Sequence, residues 1–209
     1  MTTKHRILNA AEKLFADKGF NGTSLREITS SAEVNLAAVN YHFGSKKELI
    51  KAVMSRYMNE LSPKLEASLL ELCQAAKQPS LVQVFSAFVE PLLSLNEFQE
   101  NGTSHFLQLL GRGYTDSQGF LRWFLTTRYP NVIANFVDAV HKAYPELTKE
   151  QMFWRLHFTM GTIVFTMSSS EALIDIARSD FHKDTDIKGV IEQVIPYIAA
   201  GVAAPLTVE

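Results

Sequence analysis

Apolar positions recur at three- and four-residue spacing along almost the whole chain, so the pattern predicts helices. Ile7, Leu8, Ala11, Leu14 and Phe15 form one face of a first helix, which Gly19 should stop. Ser24 with Glu27 and Ser45 with Glu48 fit the capping box, in which side chain and backbone at a helix start satisfy each other, and so mark two further starts. Between them Asn35 is placed to cap Leu36–His42, and Phe43-Gly44 breaks it. From Ser45 an amphipathic helix (Leu49, Ile50, Val53, Met54, Tyr57, Leu61) runs toward Cys73, and Pro63 should kink or interrupt it.

Further on, Pro79-Ser80 opens a helix to about Leu95, and Thr103 to Gly113 forms a short one. Asp116 to Tyr144 reads as a longer helix disturbed at Pro130. Thr148 with Gln151 starts another that reaches about Arg178, and Asp186 to Ala203 completes the set with a kink at Pro196. No strand pattern of convincing length and no internal repeat occurs. The expectation is an all-α fold of about nine helices: a three-helix head over residues 1–47 and a larger helical domain over 48–209. The apolar stretch Met152 to Met167 is interrupted by Arg155 and His157, which predicts a buried helix and no membrane span.

Composition sharpens this only in places. A chain of 209 residues with 46% hydrophobic content can bury a core as one or two helical domains. The lone Cys73 excludes an intramolecular disulfide and suits a reducing cytosol, and no signal segment opens the chain, so a cytoplasmic location is expected. Residues 1–62 carry nine Lys/Arg against six Asp/Glu, whereas residues 63–209 carry eleven against sixteen. A basic head on an acidic body fits a nucleic-acid module joined to a domain with another task. The six histidines are scattered without a metal-binding pair, and neither a phosphate-cradling glycine loop nor a nucleophile elbow occurs. No enzyme and no cofactor is expected.

Two short helices, a small-residue turn and an exposed polar second helix form the pattern of a helix-turn-helix, whose second helix enters the DNA major groove. Leu36, Ala37, Ala38, Asn40 and Tyr41 would partly face that groove, with Val39 and Phe43 as anchors. Asn40 suits a base edge, most naturally adenine, and the alanines suit a thymine methyl. Thr23, Tyr41, His42 and Lys46 suit phosphates, and Arg26 suits a phosphate or a guanine. One such module reads few bases, so useful affinity needs a dimer on a palindromic or near-palindromic double-stranded operator.

The stretch RILNAAEKLFADKGFNGTSLREITSSAEVNLAAVNYHFGSKKELI closely resembles the N-terminus of the TetR family of bacterial regulators. That resemblance implies three N-terminal helices as the DNA head, a body dimerising through its last two helices, and an inducer pocket in the body. It implies phosphate contacts at Thr23, Tyr41, His42 and Lys46, and base-facing positions at Arg26, Leu36, Ala37, Ala38 and Asn40. Asn40 departs from the tyrosine often found there, so base preference does not carry over.

In the body, Phe85, Phe88, Phe106, Leu110, Trp123, Phe124 and Phe165 are candidate lining for an apolar cavity, although aromatics at helical spacing are more often core. Arg122 and His157 are candidates for meeting an acidic head group at its mouth, with a salt bridge or a solvated position as the plainer role. VNLAAVNYHFGSKKELI, Gly119-Phe120-Leu121-Arg122, FWRLHFTMG and IPYIAAG are similar to a fatty-acid-responsive branch of the family, which implies a long-chain fatty acid or acyl-CoA as effector. The same cavity suits hydrophobic drugs or aromatic acids equally well. The family-implied homodimer would use Met160, Gly161, Ile163, Met167, Ile195, Ile198 and Gly201, residues that could equally pack inside one subunit. The expected function is a homodimeric repressor released by a hydrophobic effector. The alternatives are a regulator of efflux or catabolic genes, and a helical adaptor without DNA binding.

Overall fold

The structure, a computed structural model, describes residues 1–116 and 118–205, with side chains at all of these except 114–116, 118 and 168. Every regular element among them is a helix. These are α1 (Thr3–Gly22), α2 (Leu25–Ser31), α3 (Leu36–Phe43), α4 (Lys46–Ala75), α5 (Leu81–Ser86), α6 (Val89–Leu93) and α7 (Leu95–Phe98). They are followed by α8 (Gly102–Asp116), α9 (Gln118–Arg128), α10 (Pro130–Ala143), α11 (Lys149–Ser168), α12 (Ser170–Phe181) and α13 (Ile187–Ala203). No described helix is long and apolar enough to cross a membrane.

There are more segments than the expected nine, and proline chemistry accounts for two of the breaks. Pro91 has no amide hydrogen and crowds the carbonyl four residues back, which is where α5 ends, at Ala87. Pro130 becomes the first residue of α10, and Tyr129 before it leaves the helical region at φ −132° and ψ 50°. The expected break between Gly113 and Asp116 does not occur, since α8 continues to Asp116, and residue 117 lies outside the described residues. The helix opened by Thr148 stops at Ser169, short of Arg178. Pro63 does not interrupt α4, and it sits on the helix's exposed side.

Two compact units emerge, Met1–Glu60 with Leu95–Arg128, and Leu61–Ser94 with Tyr129–Glu209. The first takes in α7, α8, α9 and the first half of α4 together with the first three helices. In the first unit α1 lies along α8, and Ile7, Ala11, Phe15, Ile28, Val39, Leu49, Val53 and Leu109 form a core closed to solvent. Inside this core sits Glu12, 2% exposed. It accepts hydrogen bonds from Tyr57 Oη at 2.6 Å, from Arg56 Nη1 at 3.0 Å and from Gln99 Nε2. Burial first, and then Glu12, push the Tyr57 phenol well above its usual range, so it remains a donor at neutral pH.

In the second unit α13 is the central element, packed on α5, α6, α11 and α12. Val190, Ile191, Ile195, Ile198, Ala199 and Val202 form its inner face. Arg155 from α11 donates to the carbonyls of Val202 and Ala204 and so closes the otherwise unpaired C-terminal end of α13.

Candidate nucleic-acid interface

Successive side-chain caps set the geometry of the head. Ser24 Oγ accepts from Glu27 N at 3.2 Å, Ser24 N donates to Glu27 Oε2 at 2.8 Å, and Lys18 Nζ lies 2.7 Å from Glu27 Oε1. Lys18 foremost, then Ser24, hold the Glu27 carboxyl down at about 2. The turn from α2 to α3 passes Glu33 at φ 52°, and Val34 N donates to Thr29 O at 3.0 Å. Asn35 Oδ1 accepts from Ala38 N at 2.9 Å, so α3 starts where the sequence placed its cap. Gly44 at φ 75° ends it, with its amide on Asn40 O at 2.9 Å. Ser45 Oγ then takes Glu48 N at 3.2 Å and opens α4.

This scaffold presents one face of α3. Val39 and Phe43 are buried, whereas Leu36, Ala37, Asn40 and Tyr41 are exposed, Tyr41 at 86%. Positions i, i+1, i+4 and i+5 share a side of a helix, so these four form one open surface. Ala38, His42 and Lys46 are half-buried at its margin, His42 against the Tyr41 ring at 5.1 Å, and Arg26 is exposed on α2.

Thr23 requires a correction. Its side chain is 1% exposed, and its hydroxyl donates to Gly19 O at 2.8 Å and Leu14 O at 3.0 Å. The hydroxyl is committed to the fold and cannot reach a phosphate. Gly19 supports the same corner at φ 78° and ψ 170°, a conformation that only glycine adopts easily. Arg112 from α8 also reaches this corner, donating from Nη2 to Asp17 O at 3.0 Å.

The residues expected to line a ligand cavity divide between the two units. Phe106 and Phe124 are core of the first unit, where Phe106 packs on Tyr57 at 5.6 Å. Leu110 is half-buried and Arg122 exposed, and Trp123 is 46% exposed with Lys51 Nζ at 4.8 Å from its ring. In the second unit Phe85 is buried and Phe88 half-buried, both against Phe136. His157 is exposed with Nδ1 at 2.6 Å from Phe153 O, and Phe165 is 68% exposed. None of the nine lines the cavity of about 520 Å³ that opens in the second unit beside α11, α12 and α13.

The dimer set divides by helix phase. Met167, Ile195 and Ile198 are buried inside the chain and are not free for a partner, Met160 and Ile163 are half-buried, and Gly161 and Gly201 are exposed. The open apolar surface of α11 instead carries Phe153, Trp154, Phe158 and Phe165, which share one side with Gly161.

Residues 86–201 match the profile of the tetracyclin repressor-like C-terminal domain, and residues 7–53 that of the bacterial regulatory proteins of the tetR family. The HTH-type transcriptional regulator YttP of Bacillus subtilis is 37% identical over 84 residues, 40% of this chain and 41% of that protein. The HTH-type transcriptional repressor NicS of Pseudomonas putida is 33% identical over 79 residues, 36% of this chain and 37% of NicS. The match thus spans about two fifths of these relatives. Among solved structures, the hemolysin II transcriptional regulator HlyIIR aligns at TM-score 0.55 and 18% identity over 93% of this chain and 96% of its own. The fatty acid degradation regulator FadR of Bacillus halodurans aligns at TM-score 0.57 and 13% identity, over 99% and 97% of the two chains. At these identities the structural likeness shows the fold. The profile matches cover both the helix-turn-helix and most of the body, and the chain belongs to the tetR family of bacterial regulatory proteins.

Proposed function

We propose that this chain is a ligand-responsive, DNA-binding transcriptional regulator that acts as a homodimeric repressor. The observation that carries this reading is the open face of α3: a capped short helix anchored by Val39 and Phe43 that presents Leu36, Ala37, Asn40 and Tyr41 with no core role for them. Arg26, Ala38, His42 and Lys46 flank it and complete the contact set, with base edges for Asn40 and the alanines and phosphates for His42 and Lys46. The aromatic side of α11, from Phe153 to Phe165, is the surface for a second copy, which places two heads on a palindromic or near-palindromic operator.

The effector is a hydrophobic acid, for which the fatty-acid-like stretches around Gly119–Arg122 and in α11 argue, and FadR shares the fold. Repression follows by linkage: an effector that prefers the conformation with misplaced heads weakens DNA binding, and DNA weakens effector binding equally. Fluorescence anisotropy on DNA upstream of the chain's own gene, with and without oleate or oleoyl-coenzyme A, tests this. Selective, salt-dependent binding released by the lipid is expected. Selective binding that ignores both lipids removes the fatty-acid effector, and no selective binding to any DNA in a genome-wide selection removes the regulator.

A further inference from the structure

The cavity beside α11, α12 and α13 lies wholly within the second unit and contains none of the residues that the sequence offered for a ligand. One side is apolar: Leu173 and Ala177 of α12 face it together with Val190 and Val194 of α13. Elsewhere it is lined by the hydroxyls of three threonines and Tyr197, the Gln193 amide and the Lys183 ammonium, and no carboxylate is among its lining residues. Its volume of about 520 Å³ falls within the range of small-molecule sites, which runs from about 300 to 1,000 Å³.

The connection between α12 and α13 determines the charge at this wall. His182 ends α12 in the left-handed region at φ 51°, and Lys183 N turns back onto Ala177 O at 3.2 Å, placing Lys183 beside the cavity. Two of the three carboxylates within three residues of Lys183 are engaged elsewhere. Asp184 pairs with Arg178 at 3.1 Å, and Asp186 Oδ1 accepts Gly189 N at 2.9 Å as the cap of α13. Among the described residues no ion pair neutralises Lys183. Thr185 rests directly on the first turn of α13, where a Cβ on Gly189 would come within 2.2 Å of its Oγ1. Glycine at 189 is what allows that hydroxyl to line the cavity.

A lone cation beside a hydroxyl, facing an aliphatic wall, matches an amphipathic monocarboxylate: carboxylate on Lys183 and Thr185, hydrocarbon against Leu173, Ala177, Val190 and Val194. We propose that this cavity is a binding site for such an acid, built by the α12–α13 connection. The site deepens the reading of a hydrophobic acid effector and rests on that reading for its regulatory consequence. Binding itself is measured without DNA, so the two fail separately.

Calorimetric titration of the full chain with octanoate, and with octanamide as its uncharged counterpart, tests the site. Octanoate should bind once per chain, and octanamide about tenfold more weakly, since a charge-assisted contact is lost. Lys183→Gln should bring octanoate down to the octanamide level, Lys183→Arg should retain it, and Ala177→Phe should abolish both by filling the apolar side. Thermal melts of each variant establish that the fold is kept. Equal binding of acid and amide, wild-type affinity in both Lys183→Gln and Ala177→Phe, or no saturable binding of octanoate would each overturn the proposal.

Discussion

The phenol of Tyr57 donates a 2.6 Å hydrogen bond to Oε1 of Glu12, and both side chains are sealed from solvent. This pair joins the first helix to α4 inside an apolar core, and Arg56 and Gln99 complete the shell of donors around the carboxylate. Tyr57→Phe removes one donor from an acceptor that keeps two others, a loss of about 1–2 kcal/mol. Glu12→Ala leaves the Tyr57 phenol without its acceptor and Arg56 without its counter-charge, and should cost about 3–5 kcal/mol. Urea denaturation of both variants separates the two. Equal losses would mean that the carboxylate is not the hub of this network.

The corner at Gly19 and Thr23 supplies a second stability test. Gly19→Ala forces a side chain onto backbone at φ 78° and ψ 170° and should cost about 1–3 kcal/mol. Thr23→Val withdraws the donor from two carbonyls and should cost a similar amount, about 1–3 kcal/mol. Its effect on DNA should be small once the protein is folded. The slope of log affinity against log salt should therefore be unchanged in Thr23→Val and shallower in Lys46→Ala.

The head was largely readable because its signals are local. A cap such as Asn35 or Ser24 acts within three residues, and the glycine at 44 marks a backbone sign change that no other residue tolerates as well. The corrections concern relationships that span the chain. Thr23 was expected to meet a phosphate, but the partners of its hydroxyl are four and nine residues back, across the Gly19 bend. Glu12 lies on the apolar stripe between Leu8 and Phe15, a visible anomaly whose answer, Tyr57, stands 45 positions away. The body misled most, because an aromatic at helical spacing looks the same whether it faces core or solvent. Phe124 is fully buried and Phe165 is 68% exposed, yet both occupy apolar runs of the same kind. The Lys183 cavity had no signal, since it depends on which way a five-residue connection turns.

Glu27 gives the head an acid sensitivity with a defined sign. Its carboxyl is held at about 2, below its ordinary 4.5, by Lys18 and by the cap at Ser24. The contribution is therefore complete above pH 4.5 and is lost as pH falls through about 2. Glu27→Gln keeps an acceptor at the capping position but cannot titrate. The difference in melting temperature between wild type and Glu27→Gln should shrink on acidification across this window, and a constant difference would remove the carboxylate from the account.

Helix phase makes a sharp statement about assembly. Phe158 and Phe165 are 66% and 68% exposed, so replacing both by Asp leaves the fold intact and removes the apolar surface offered to a second copy. Burying a phenylalanine contributes about 1.5–3 kcal/mol, so the double variant should weaken a dimer by a hundredfold or more, roughly. Ile198→Asp should instead unfold the chain, because Ile198 is 4% exposed inside it. Sedimentation velocity of the two variants gives the answer, and a double variant that sediments like the wild type would place the interface elsewhere.

The two kinds of DNA contact differ in what they do to selectivity. Asn40 is exposed on the open side of α3, where its amide can present a donor and an acceptor to an adenine edge. His42 and Lys46 stand at the margin, where they would meet phosphates that every sequence shares. Asn40→Ala should lose about 1–3 kcal/mol on the operator and little on random DNA, relaxing preference at particular base pairs. His42→Ala and Lys46→Ala should weaken both DNAs together, and Lys46→Ala should lower the salt slope by about one counterion. Anisotropy titrations on operator and random duplexes at several salt concentrations decide it. Equal losses on both duplexes for Asn40→Ala would turn that residue into a phosphate contact and shift base reading to Arg26 and the alanines.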